Sequence, residues 1–275
     1  MNPWFETIIV GITAFAGVFF GGIFSRSRKP CWLISYIISV LLIAILLTAQ
    51  YANLHFPFLS WIAMSRAKFV VLCLATTLGL TALLARLPNR FEKLAVCILM
   101  IVVVVWFSIF PFLVPALIQN NLANLKTRYS SDGICLQTTK FTCGPAAAVT
   151  ALKKLGLSAD EGQIAILARS SPVAGTQPWY LYKALQNRYG ANGLECRYRY
   201  FKSAVELREA GVTLAVVKES LLLDHCVTVL EVLDRAVVIG DPVLGKKTLS
   251  FEQFGKIWRF SGITLKRSCA FTNAL

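Results

Sequence analysis

Histidine is nearly absent from this chain: 275 residues contain two, His55 and His225. A reaction that needs an imidazole base has only these to draw on. Charge is thin as well, 15% Asp, Glu, Lys and Arg against 56% hydrophobic residues. That balance is too apolar for an ordinary soluble protein. Acids number 14 against 28 basic residues, a net charge of +14. The positive charges are scattered along the chain, so they read as solvated surface or attraction to anionic lipid, not as a nucleic-acid site. None of the eight cysteines forms a C-x-x-C pair, so no metal and no cofactor is expected.

The apolar excess lies in the first 120 residues, which carry eight basic and two acidic side chains, net +6, against 20 and 12, net +8, in the remainder. Four apolar runs, 4–24, 31–51, 69–85 and 95–118, are each read as a membrane span. The first lacks a basic n-region and a cleavage site, which favours a retained span over a signal peptide. Within it, Gly17-x-x-x-Gly21 would let a neighbouring helix approach closely. Pro111 and Pro115 should kink the end of the fourth run. No charge sits mid-span, which points to an anchor and away from an ion or proton path. Between the second and third runs, His55, Phe56, Pro57, Phe58 and Trp61 suit an interfacial loop, with His55 an interfacial side chain and not a ligand. Arg26, Arg28 and Lys29 after the first run, and Arg86, Arg90 and Lys93 after the third, place those loops in the cytoplasm and both termini outside.

Beyond a polar stretch at 119–132, read as a linker, the richest segment is Gln137-Thr138-Thr139-Lys140-Phe141-Thr142-Cys143-Gly144-Pro145-Ala146-Ala147. Gly-Pro followed by small apolar residues predicts a helix opening at Cys143, with Pro145 in the first turn. A thiol at a helix N-terminus is favoured as thiolate. Gln137 carries two N–H donors that suit an oxyanion beside the sulfur. With His55 in the apolar half, His225 is the candidate base; Leu223-Asp224-His225-Cys226-Val227-Thr228-Val229-Leu230 reads as a strand. The next strand, Ala236-Val237-Val238-Ile239-Gly240-Asp241-Pro242, ends in an acid placed to orient the imidazole. The order Cys, His, Asp is that of a papain-like layout.

Other signals fill in the domain. The Cys143 helix should stop at Gly156. Ser158-Ala159-Asp160-Glu161 reads as a capping box for a second helix ending near Arg169, and Gly175-Thr176 as the cap of a third. Strands are expected at 194–201, 212–218 and 262–266, with helices at 203–210 and 251–258. Helices first and strands later predicts an α+β domain. Gly240-Asp241-Pro242-Val243-Leu244-Gly245-Lys246-Lys247 approaches a P-loop, but Lys247 stands where Ser or Thr must hold magnesium, so nucleotide binding is not expected. Cys135, Cys196, Cys226 and Cys269 suit either two disulfides in an oxidising compartment or buried thiols.

Taken together, Gln137…Cys143-Gly144-Pro145-Ala146, His225 and Gly240-Asp241-Pro242, with Ser250-Phe251-Glu252-Gln253-Phe254…Trp258 behind them, resemble the peptidase C39 family of cysteine peptidases over residues 130–265. The resemblance implies Cys143 as nucleophile, His225 as general base, Asp241 as its orienter and Gln137 in the oxyanion hole. The expected architecture is an α-helical four-span membrane domain (1–118), the linker (119–132) and an α+β papain-like cysteine peptidase domain (133–275). The expected function is a membrane-anchored peptidase acting on a peptide or protein precursor. By family analogy the substrate is a double-glycine leader. A non-cleaving peptide-binding module and another papain-fold acyl transfer, amidase or transglutaminase-like, are the alternatives. Expected partners are the substrate, the lipid bilayer and secretion proteins. The expected location is a bacterial inner (plasma) membrane, with the peptidase domain extracytoplasmic. The ATPase domain that accompanies C39 domains in peptide-exporting transporters is not among these residues.

Overall fold

The computed structural model describes residues 3–26, 31–51, 66–84, 86–219 and 224–268. The chain divides into two compact units, Met1–Leu117 and Ile118–Leu275. His55, Phe56, Pro57, Phe58, Trp61 and Cys269 lie outside the described residues.

Among the described residues of the first unit are four long helices: Pro3–Arg26, Cys31–Tyr51, Ala67–Leu84 and Arg90–Phe112. Three are long and apolar enough to cross a membrane, whereas the apolar stretch described in the second, Leu33–Thr48, is shorter. Gly17 and Gly21 serve the packing that their spacing suggested. A Cβ at Gly17 would lie 2.0 Å from Thr77 Oγ1, and one at Gly21 2.8 Å from Thr81 Cβ. The first and third helices thus meet along a glycine–threonine seam. Ser35 Oγ extends it from the second helix, donating to Leu78 O at 3.2 Å. A buried ion pair, Glu6 with Arg66 at 3.5 Å, sits at helix starts and not mid-span. The fourth helix ends just past Pro111, and a short helix, Val114–Leu117, carries Pro115.

In the second unit, six antiparallel strands form one sheet in the order β3-β8-β4-β5-β6-β7. They are β3 (Leu194–Tyr200), β4 (Val212–Lys218), β5 (Asp224–Val232), β6 (Ala236–Asp241), β7 (Gly245–Ser250) and β8 (Trp258–Arg267). β4 is covered on both faces. Val212 and Leu214 pack into a core shared with helices Cys143–Lys154 and Pro178–Tyr189, while Ala215 and Val217 pack with Phe201, Phe254 and Trp258. The Cys143 helix buries Ala146, Ala147, Ala148 and Ala151 completely. Small side chains bring its backbone onto β5, where Thr228 Oγ1 donates to Ala147 O at 2.7 Å. This close approach sets a helix N-terminus beside the strand that carries His225.

Several expectations change on folding. The stretch 119–132 is not a free linker but part of the second unit. It holds a short helix, Gln119–Ala123, with Leu122 buried, and a strand, β1 (Arg128–Tyr129), paired with β2 (Cys135–Leu136). The second helix, Glu161–Leu167, is capped by Asp160, whose carboxylate accepts from Gln163 N–H. Ser158 does not cap it, because Asp160 stands nearer the first free N–H groups. The P-loop-like stretch is a β-hairpin, with Asp241 opposite Gly245 and a strand following instead of a helix. Cys135, Cys196 and Cys226 are free thiols. Burial pushes the first two up to about 12.

Candidate active site

The Cys143–Lys154 helix starts at Cys143, and Thr142 at its N-cap gives it no side-chain cap hydrogen bond. The Thr142 hydroxyl is committed to the preceding loop instead, accepting from Thr139 N–H at 3.2 Å and donating to Thr139 O at 3.1 Å. The loop that delivers Cys143 is thereby closed on itself. Gly144 permits another close approach: a Cβ there would lie 3.0 Å from Thr176 Cβ. Thr176 Oγ1 donates to Phe141 O at 3.1 Å, tying the loop to the segment before the third helix.

His225 and Asp241 lie on β5 and β6, which are neighbours in the sheet. Both are buried, and His225 Nε2 lies 3.0 Å from Asp241 Oδ1. Asp241 Oδ1 also accepts from Val243 N–H at 2.8 Å and Leu244 N–H at 3.4 Å. Cys143 lies close enough to the imidazole to act on its protonation.

Gln137 is held differently. Its backbone N–H donates to Pro242 O at 2.9 Å, so it abuts the residue that follows Asp241. Its side-chain Oε1 is buried and has no hydrogen-bond partner among the described residues.

The electrostatics follow from these contacts. Burial pulls the His225 pKa down, but the hydrogen bond to Asp241 and the influence of nearby Cys143 win and raise it to about 10. Burial pushes Asp241 up, and the bonds from His225, Val243 N–H and Leu244 N–H outweigh that and lower it. Both shifts favour the charged forms, imidazolium and carboxylate. The linkage has a definite sign. The stabilisation from His225 is complete below its unfolded pKa of about 6.5 and is lost as pH rises through about 10. That from Asp241 is present above its unfolded pKa of about 3.9 and is lost as pH falls through its lowered folded value. The melting temperature of the wild-type chain should accordingly drop from pH 7 to 10 more steeply than that of His225→Ala. Parallel curves for the two would show that His225 is not held protonated by the fold.

Two supports were not evident in the sequence. Arg259 places Nε 2.9 Å and Nη2 2.8 Å from Asp224 Oδ1, pinning the start of β5 next to His225. Glu161, read as part of a capping box, turns inward to Thr138. Each joins residues far apart in sequence, and neither has a local signature.

A thiol at a helix start and, on neighbouring strands, an imidazole paired with a carboxylate are groups suited to nucleophilic acyl transfer through sulfur. Comparison with known proteins agrees with that class. The model of the peptidase C39 family matches residues 132–271, and this chain belongs to that family of cysteine peptidases. A protein of Methanothermobacter thermautotrophicus is 24% identical over 145 residues, 53% of this chain and 96% of its own length. The probable functional amyloid protease FapD of Pseudomonas aeruginosa is 26% identical over 145 residues, 52% of this chain and 63% of its own length. Among solved structures, a double glycine motif protease from an AMS/PCAT transporter, in complex with the leader peptide, gives a TM-score of 0.42 at 17% identity, covering 53% of this chain and 96% of that one. The peptidase domain of Streptococcus ComA, a bi-functional ABC transporter, gives 0.41 at 22% identity, covering 48% and 96%.

Proposed function

We propose that this chain is a membrane-anchored cysteine peptidase that cleaves a peptide or protein precursor, with Cys143, His225, Asp241 and Gln137 as its working residues. The observation that supports the proposal most is the buried His225–Asp241 pair at 3.0 Å, with Cys143 near enough to act on the same imidazole, in a chain of the C39 family. Cys143 sulfur attacks the scissile carbonyl carbon, and His225 gives the thiol proton to the leaving amine. Water then adds to the thioester; His225 takes its proton and returns it to sulfur as the acid departs. Asp241 holds the imidazole in register and stabilises its charge. Gln137 and the Cys143 backbone N–H receive the oxyanion.

A precursor with a double-glycine leader is the proposed substrate, in keeping with the family. The test is direct: the full chain in detergent, incubated with such a precursor, should release the mature fragment with a mass gain of one water across the two products. Binding without release would favour a non-cleaving module, and a product carrying an added acceptor would favour acyl transfer.

The proposed anchor consists of four spans, the shorter Leu33–Thr48 helix included. Outward apolar side chains support this, among them Phe15 and Ile12 of the first helix and Ile101 of the fourth, 72%, 64% and 61% exposed. With Arg26, Arg28, Lys29, Arg86, Arg90 and Lys93 holding their loops in the cytoplasm, an even number of spans returns the peptidase to the outer face. Alkaline phosphatase fused after Leu275 should be active and a green fluorescent protein fused there dark. The reverse result would put the peptidase in the cytoplasm and leave its chemistry intact.

A further inference from the structure

We infer that Glu161 is a positioning residue for the Gln137 side of the site and couples the segment 119–127 to it. The inference rests on the peptidase reading above. Glu161 is 0% exposed, a costly place for a carboxylate without strong partners. Its partners are on the loop that leads to Cys143. Thr138 N–H donates to Oε1 at 2.8 Å, and the Thr138 hydroxyl donates to Oε2. Hydrogen bonds to an ionised acceptor are the strong ones.

Thr138 directly follows Gln137, whose own N–H is tied to Pro242 O at 2.9 Å. Gln137 is thus held from both sides, by Glu161 through its neighbour and by the Asp241-Pro242 turn through its backbone. Two tethers on consecutive amides fix the direction in which the Gln137 side chain leaves the chain. An oxyanion donor works only when pre-set in that way.

Glu161 is itself anchored. Its N–H donates to Thr127 Oγ1 at 3.0 Å, and Thr127 Oγ1 donates to Asp160 Oδ2 at 2.8 Å. The next residue, Gly162, sits so near the Gln119–Ala123 helix that a Cβ would lie 2.1 Å from Leu122 O. The segment that follows the apolar unit in sequence therefore ends, three contacts later, at the oxyanion side of the site.

The experiment compares wild type, Glu161→Ala, Glu161→Gln, Gln137→Ala and the Gln137→Ala/Glu161→Ala double variant as full chains in detergent, by kcat, by KM and by amide hydrogen exchange over 138–143. Glu161→Ala should lower kcat roughly 10- to 100-fold with KM nearly unchanged, less than the roughly 10²–10³-fold expected of Gln137→Ala. The double variant should be no slower than Gln137→Ala alone, because a brace has no effect once the braced group is gone. Glu161→Gln should fall between, since its amide oxygen still accepts from Thr138 N–H. Exchange at 138–143 should quicken in Glu161→Ala with no substrate present. Multiplying losses in the double variant, or unchanged exchange, would overturn the inference while leaving the peptidase reading in place. A wild-type chain without turnover would overturn that reading and the catalytic part of this inference with it, and the exchange data would still report on the brace. If Glu161→Ala does not fold, Glu161→Gln and Thr138→Val carry the same comparison.

Discussion

Cys143→Ala should leave no measurable precursor cleavage and an intact fold. In the proposed mechanism the sulfur is the atom that bonds to substrate, and an alanine methyl cannot replace it. Cys226, although next to His225 in sequence, is half-buried, and desolvation together with the nearby Cys143 raises its thiol pKa well above the ordinary value, which keeps it protonated and inert. The fold should survive because Cys143 is only half-buried and the change removes one atom. Substitutions of that kind lie within about 0.5 kcal/mol when no cavity or network is broken. The comparison is precursor cleavage followed by mass spectrometry, with melting temperature as the control. Full cleavage by a well-folded Cys143→Ala chain would remove the thiol from the mechanism.

His225→Ala should lower kcat by on the order of 10⁴–10⁶, the range seen when the base of a nucleophile–base pair is removed. The thiol loses its proton acceptor and the leaving amine its proton donor in one substitution. The fold has a way to tolerate the loss. Asp241 keeps the N–H groups of Val243 and Leu244, so its carboxylate is not stranded. The cost to stability should be about 1.5–3 kcal/mol, the contribution of one charged hydrogen bond. A loss of kcat under tenfold would mean that the 3.0 Å contact between His225 and Asp241 is structural and that some other group moves the proton.

The elements that carry Cys143, His225 and Asp241 were legible because each has a local signal. Gly-Pro and alanines mark the helix start at Cys143, and β-branched residues mark the strands of His225 and Asp241. The rarity of histidine narrowed the choice further. The supports were not legible, because their partners are distant in sequence: Glu161 meets Thr138 and Arg259 meets Asp224 only after the sheet forms. Seen in sequence, Glu161 reads as part of a capping box and Arg259 as one of the solvated positive charges. β7 was missed for a related reason. Lys246, Lys247 and Thr248 are exposed on an edge strand, so no buried face imposes an alternating pattern. The stretch 119–132 looked like a linker because its composition is polar, yet one buried leucine and the Thr127 hydroxyl suffice to hold it in place.

The measurement that bears most directly on the account uses a peptide ending in Gly-Gly with an electrophile in place of the scissile amide. The full chain is treated with it at neutral pH and the adduct is mapped by peptide mass spectrometry. One covalent adduct on Cys143 is expected, forming far more slowly in His225→Ala and suppressed by an excess of unmodified leader peptide. An adduct on another cysteine, or a Cys143 that stays unlabelled while the peptide binds, would contradict the claim that Cys143 is the nucleophile.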